Sequence, residues 1–89
     1  MNYTVINSKK ADKDLIALRS QKALYKRVFD LLKIIKKNPY QNPPRYEKLS
    51  GDLESKYSRR LNKKHRIVYE VNEKTKEVYI LSLLSHYEF

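Results

Sequence analysis

Apolar residues along this chain follow one spacing in its first half and another in its last third, and each spacing predicts an element. Tyr3-Thr4-Val5-Ile6 is short and rich in β-formers and predicts a strand. The period then lengthens. Ala11, Leu15 and Leu18 recur at i, i+4 and i+7, predicting a helix capped by Ser8 and running to about Leu18. Leu24, Val28, Leu31, Leu32 and Ile35 form a broader stripe and predict a second helix, with Ser20 as its cap. Lys22, Lys26, Lys33, Lys36 and Lys37 fall largely outside that stripe. Asn38-Pro39 ends the helix, because the residue before proline is pushed out of the α region.

From Asn38 to Lys56 no period is visible, and the segment holds Pro39, Pro43, Pro44 and Gly51, the only glycine. This predicts a long irregular connection of the kind that is often functional, pinned to the core by Leu49, Leu53 and Tyr57. Three strands are predicted after it, at about Tyr57–Asn62, His65–Asn72 and Glu77–Ser85. The polar segments Asn62-Lys63-Lys64 and Asn72-Glu73-Lys74-Thr75-Lys76 are short enough to make them antiparallel hairpins. The order is β-α-α-β-β-β. The expected fold is α+β, one domain over residues 1–89, with two helices packed on one face of an antiparallel-rich sheet.

Charge sharpens this picture. The net charge is +10, and residues 1–45 hold eleven Lys/Arg against three Asp/Glu, whereas residues 46–89 hold nine against seven. Such an excess points to an anionic partner such as nucleic acid, although a lysine-rich helix face can also be a merely solvated one. Cysteine is absent, which removes disulfides, thiol nucleophiles and cysteine-ligated zinc. His65 and His86 with scattered acids make no recognisable metal site, so neither metal nor cofactor is expected. A single glycine cannot build a phosphate-binding loop, which argues against a kinase or nucleotidase. No run reaches the ~20 apolar residues of a membrane helix, and Met1-Asn2-Tyr3-Thr4 does not read as a signal peptide. The expected location is the cytoplasm.

The chemistry concentrates in the strands. Leu61, Ile67, Tyr69 and Val71 are expected to face inward, so Arg66, which alternates with them, faces away from the helices. The odd-numbered loop Asn62-Lys63-Lys64 places Arg60 opposite Arg66. Like charges directly opposed are destabilising, and a chain that keeps such a pair has a reason to hold an anion there. The plainer alternative is that both arginines are solvated or paired with Glu54, Glu70 or Glu77. Cleaving RNA with side chains alone needs a base for the 2′-hydroxyl, cations for the pentacoordinate phosphate and an acid for the leaving 5′-oxygen. Glu47, the arginines Arg60 and Arg66, and His86 can fill those roles, with Tyr87 stacking on a base or orienting the phosphate. His65, at a strand start between Lys64 and Arg66, is expected to be structural.

Tyr46-Glu47-Lys48-Leu49, Tyr57-Ser58-Arg59-Arg60, His65-Arg66-Ile67-Val68-Tyr69 and the terminal Ser85-His86-Tyr87 resemble the YoeB/Txe branch of the RelE superfamily, toxins of bacterial type II toxin–antitoxin pairs. The resemblance covers essentially the whole chain. It implies a microbial-RNase-like α+β fold and a ribosome-dependent endoribonuclease that cleaves mRNA in the decoding site and inhibits translation. By that resemblance Glu47 is the general base, Arg66 the phosphate-stabilising arginine, Arg60 its support, His86 the general acid and Tyr87 the adjacent aromatic. Lys48, Lys56 and Arg59 are expected RNA contacts near the site, and Lys33, Lys36 and Lys37 are expected contacts to ribosomal RNA. The family further implies a cognate YefM-like antitoxin, usually with an acidic segment that covers the toxin, and it leaves room for a homodimer. Two departures stand out: Ser50 where members often carry lysine three residues after the glutamate, and Glu88-Phe89 beyond the His-Tyr end. Two other readings remain open on the sequence, a ParE-like gyrase poison on the same fold and a non-catalytic RNA-binding module.

Overall fold

The computed structural model describes residues 2–49 and 55–85. Their elements are β1 (Thr4–Asn7), α1 (Lys9–Ala17), α2 (Lys22–Lys37), β2 (Tyr46–Lys48), β3 (Lys56–Arg60), β4 (Arg66–Asn72) and β5 (Glu77–Ser85). The strands form one sheet in the order β1-β5-β4-β3-β2. β1 lies parallel to β5, and the other pairs are antiparallel. The α+β class and the two-helix layer are as expected. The strand count is not, because the expected β-α-α-β-β-β order omits β2. Its three residues, Tyr-Glu-Lys, show no apolar alternation, and only pairing with β3 makes them a strand.

The core follows the periodic positions. Ala11, Leu18, Val28, Leu31 and Ile35 from the helices meet Ile67, Tyr69, Val71, Val78 and Ile80 from the central strands. Ser8 caps α1 as expected, its Oγ accepting from the Ala11 amide at 3.0 Å while donating to the Leu81 carbonyl at 3.0 Å. The expected cap of α2 is displaced by one residue. Ser20 sits in the turn that closes α1, and Gln21 is the N-cap, with no side-chain hydrogen bond. At the other end Asn38 is extended, φ −158°, as a residue before proline should be. No described helix is long and apolar enough to cross a membrane.

Two further contacts fix the parts that carry the site. Arg27 of α2 donates to the Leu61 carbonyl at 3.0 Å and so ties the β3–β4 turn to the helix layer. Asp14 of α1, missed by the apolar pattern, is nearly buried and accepts from the amides of Leu83 at 3.0 Å and Leu84 at 3.3 Å near the end of β5. Burial pushes the Asp14 carboxyl up, but the Leu83 amide, Lys10 and the Leu84 amide together hold it below its ordinary value. Its contribution to stability is therefore present above the unfolded carboxyl pKa and is lost as pH falls through the lower folded one. Asp14→Ala is expected to cost at least about 2 kcal/mol, since two amides lose their acceptor. In urea titrations the gap between wild type and variant should narrow below about pH 4; a gap that stays constant down to pH 2 would remove the carboxylate from this role.

Candidate active site

Strand alternation sorts the side chains of β3 onto two faces. Tyr57 and Arg59 pair with Tyr69 and Ile67 and point to the helices, whereas Lys56, Ser58 and Arg60 pair with Glu70, Val68 and Arg66 on the opposite face. Arg60 thus lies directly across from Arg66, the register the odd-numbered loop predicted. The turn between them is held by Asn62, whose Oδ1 accepts from the amides of Lys64 at 2.9 Å and His65 at 2.7 Å. β2 then adds Glu47 across from Ser58 on the same face.

These residues surround a cavity of about 270 Å³ lined by Arg45, Tyr46, Glu47, Ser58, Arg60 and Arg66. Among the described residues, three guanidinium groups face one carboxylate. Arg60 is exposed and Arg66 half-buried. Glu47 Oε1 is 3.5 Å from Nη2 of Arg45, an arginine whose side chain is 81% exposed. A surface pair of that kind contributes ~0–1 kcal/mol, so an arriving anion can compete for Arg45. Of the expected catalytic residues, Glu47, Arg60 and Arg66 are brought together here. His86 and Tyr87 lie outside the described residues, as do Ser50 and the Glu88-Phe89 extension.

The expected RNA contacts divide. Arg59 is corrected by the fold: it is 1% exposed and cannot reach a polyanion. Its Nη1 donates to the Pro44 carbonyl at 2.6 Å, its Nη2 to the carbonyls of Gln41 at 2.9 Å and Pro39 at 3.1 Å, and its Nε to Tyr69 Oη at 3.2 Å. The Tyr46 ring covers the guanidinium at 5.1 Å. Arg59 therefore anchors the connection that leads into β2. Tyr69 completes the anchor by donating to the Pro39 carbonyl at 2.7 Å, and burial pushes its hydroxyl up to about 12 against the pull of Arg59. Lys56 shares the cavity's face but pairs with Glu70 at 3.0 Å. Lys48 is exposed and lines a separate groove with Tyr40, Tyr57, Glu70 and Lys74. Lys33 and Lys36 line a shallow groove beside β1, at the edge of the sheet opposite β2, and Lys37 is exposed at the end of α2.

Arg45 and Ser58 are cavity residues that the pattern analysis did not single out. Ser58 was legible in principle, because period-two alternation places it on the face of Arg60. Arg45 was not, since nothing local distinguishes an arginine at the end of an irregular connection.

Among the described residues, the helix-free face of this small basic α+β sheet carries a cationic cavity with one carboxylate, the arrangement of a domain suited to a polyanion. The family model described as the YoeB-like toxin of bacterial type II toxin–antitoxin systems matches residues 8–87. The toxin YoeB of Synechocystis is 33% identical over 70 residues, 79% of either chain. Staphylococcus aureus YoeB, solved as a dimer and in a YoeB–YefM complex, is 31% identical with TM-scores of 0.83 and 0.80; each match covers 98% of this chain and 100% of the other. The chain belongs to the YoeB-like toxin family of type II toxin–antitoxin systems, within the RelE superfamily.

Proposed function

We propose that this protein is an endoribonuclease toxin that cleaves messenger RNA in the ribosomal decoding site and so arrests translation. The observation that carries the reading is the cavity itself, where the cross-strand pair Arg60–Arg66 faces the carboxylate of Glu47. Glu47 takes the proton of a 2′-hydroxyl, and the 2′-oxygen attacks the adjacent phosphorus. Arg66, supported by Arg60, stabilises the added charge of the pentacoordinate phosphate. His86 gives a proton to the departing 5′-oxygen, leaving a 2′,3′-cyclic phosphate and a free 5′-hydroxyl. Tyr87 orients the phosphate beside it. The roles of His86 and Tyr87 rest on the family resemblance. Side chains fill every role, so the scheme calls on no metal or other cofactor.

The basic helices bind ribosomal RNA through Lys33, Lys36 and Lys37, and Lys48 and Lys56 lie nearer the messenger. The protein works in the cytoplasm. Its other partner is an acidic YefM-like antitoxin, the pairing seen for the Staphylococcus aureus relative, which also occurs as a dimer; a homodimer of this chain is the corresponding expectation. A chain of net charge +10 favours encounter with such a partner.

The test is a primer-extension map of mRNA cleavage in a purified translation system, with and without ribosomes. Wild type is expected to cut at a fixed position in the decoding site, only when ribosomes are present. Glu47→Gln should fold normally and lose most of that cleavage, and His86→Gln should slow it and change its pH profile. Undiminished cutting by Glu47→Gln would remove it as the base. Growth arrest without any cuts would favour a gyrase poison on the same fold instead.

A further inference from the structure

Ser58 lines the cavity but takes no part in the scheme above. It is 0% exposed, and its Oγ is buried with no hydrogen-bond partner among the described residues. An orphaned buried hydroxyl costs roughly 1–3 kcal/mol and needs a reason. Ser58 sits directly across from Glu47 in the β2–β3 register, and on the face of Arg60 and Arg66. Directly opposed β-carbons are ~4.5–5.5 Å apart, so a glutamate folded back across the strand pair comes within reach of the serine hydroxyl. In the free protein the Glu47 carboxylate turns instead to the exposed Arg45, at 3.5 Å.

We propose that Ser58 is the positioning residue of the catalytic carboxylate. When a phosphate draws Arg45 away, Glu47 leaves its surface pair and accepts the Ser58 O–H, which aims its remaining lone pairs at the substrate's 2′-hydroxyl. The proposal rests on the reading of Glu47 as the base. It exchanges a weak solvent-screened pair for a charge-assisted hydrogen bond and satisfies the orphaned hydroxyl in the same move. Among the described residues, the charged groups around Glu47 are Arg45 before β2, Arg60 on β3 and Arg66 on β4, with the Lys56–Glu70 pair further along the same face. The arginines supply field without a fixed direction for the base. Ser58 supplies direction.

The experiment is single-turnover cleavage of ribosome-bound mRNA as a function of pH, for wild type, Ser58→Ala, Ser58→Thr and Glu47→Gln, with thermal melts alongside. Ser58→Ala is expected to lower the cleavage rate about 10- to 100-fold, the scale of one charge-assisted hydrogen bond, while the mRNA concentration for half-maximal rate stays within about twofold. Its acidic limb should move to higher pH, because the lost donor favoured the ionised carboxylate. Its melting midpoint should hold or rise, since an unsatisfied group has been removed. Ser58→Thr keeps the hydroxyl and should recover both rate and limb; where the added methyl is not accommodated, the limb of the alanine variant decides. A slow Ser58→Ala with an unmoved limb and a lower midpoint would make the serine merely structural and overturn the proposal. Wild-type behaviour of Ser58→Ala beside an inactive Glu47→Gln would overturn the role of Ser58 alone. A fully active Glu47→Gln would overturn the base and this inference together.

Discussion

Replacing Arg66 with alanine is expected to slow mRNA cleavage by about 100- to 1000-fold, or about 2.7–4 kcal/mol, the scale of one lost oxyanion donor. The reason lies in where charge appears. A ground-state phosphodiester carries a single negative charge that any of the cavity's arginines can meet. The extra charge of the pentacoordinate state forms on its non-bridging oxygens, and in the proposed scheme the half-buried Arg66 at the start of β4 is the group that meets it. The loss should therefore fall on the rate of the bound complex more than on its affinity. Arg66→Lys should recover part of it, since a point charge remains while the planar fork is lost. Arg60→Ala should cost less than Arg66→Ala, because Arg60 is exposed and meets the phosphate through more water.

Stability separates this prediction from a trivial one. Arg66 faces Arg60 across the strand pair, and opposed like charges cost a sheet up to ~1 kcal/mol. Folding of Arg66→Ala is therefore measured beside its rate, so that a loss of stability is read apart from a loss of chemistry. The measurement is single-turnover cleavage on programmed ribosomes beside a urea titration. A rate change below tenfold would take Arg66 out of the transition state, and a large loss of stability would make the rate uninterpretable as chemistry.

What the sequence disclosed tracks the range of the interactions involved. The helix stripes and β3–β5 were legible because their periodicity is local: Val28, Leu31 and Ile35 state the buried face of α2 without reference to anything else. The Arg60–Arg66 pairing was legible because alternation and an odd-numbered loop fix register arithmetically. β2 was not, since Tyr46-Glu47-Lys48 becomes a strand only against Ser58 and its neighbours. Asp14 was hidden for the same reason. Its partners are amides 69 and 70 residues away, and on a helical wheel it reads as one more surface acid. Glu47 entered as a carboxylate able to serve as the base, a role the family resemblance also implied, and the fold then gave it a place in the cavity. Arg59 is the instructive miss, because the information was present: two adjacent strand residues cannot share a face, so an Arg60 in the cavity sends Arg59 to the helices.

That placement gives Arg59→Met the largest expected effect on stability. Arg59 donates to the carbonyls of Pro39, Gln41 and Pro44 and to Tyr69 Oη, all from a guanidinium that is 1% exposed. Pro39 keeps the Tyr69 hydroxyl as a donor, but the carbonyls of Gln41 and Pro44 lose theirs. Hydrogen bonds to a charged donor contribute ~1.5–3 kcal/mol each, and two are lost outright, so the expected cost is about 3–6 kcal/mol. For a domain of this size that lowers the melting midpoint by more than about 10 °C. Lysine should rescue little, because one ammonium cannot span three carbonyls and a phenol. Cleavage should fall as well, since the connection that Arg59 anchors delivers Arg45 and Glu47 to the cavity. A surface RNA contact predicts the opposite: Arg59→Met would then melt like wild type, bind RNA more weakly, and lose about one unit from the slope of log affinity against log salt. Thermal melts and a salt titration of RNA binding, run on the same variant, separate a buried anchor from an electrostatic contact, because only the anchor couples the loss of fold to the loss of the base.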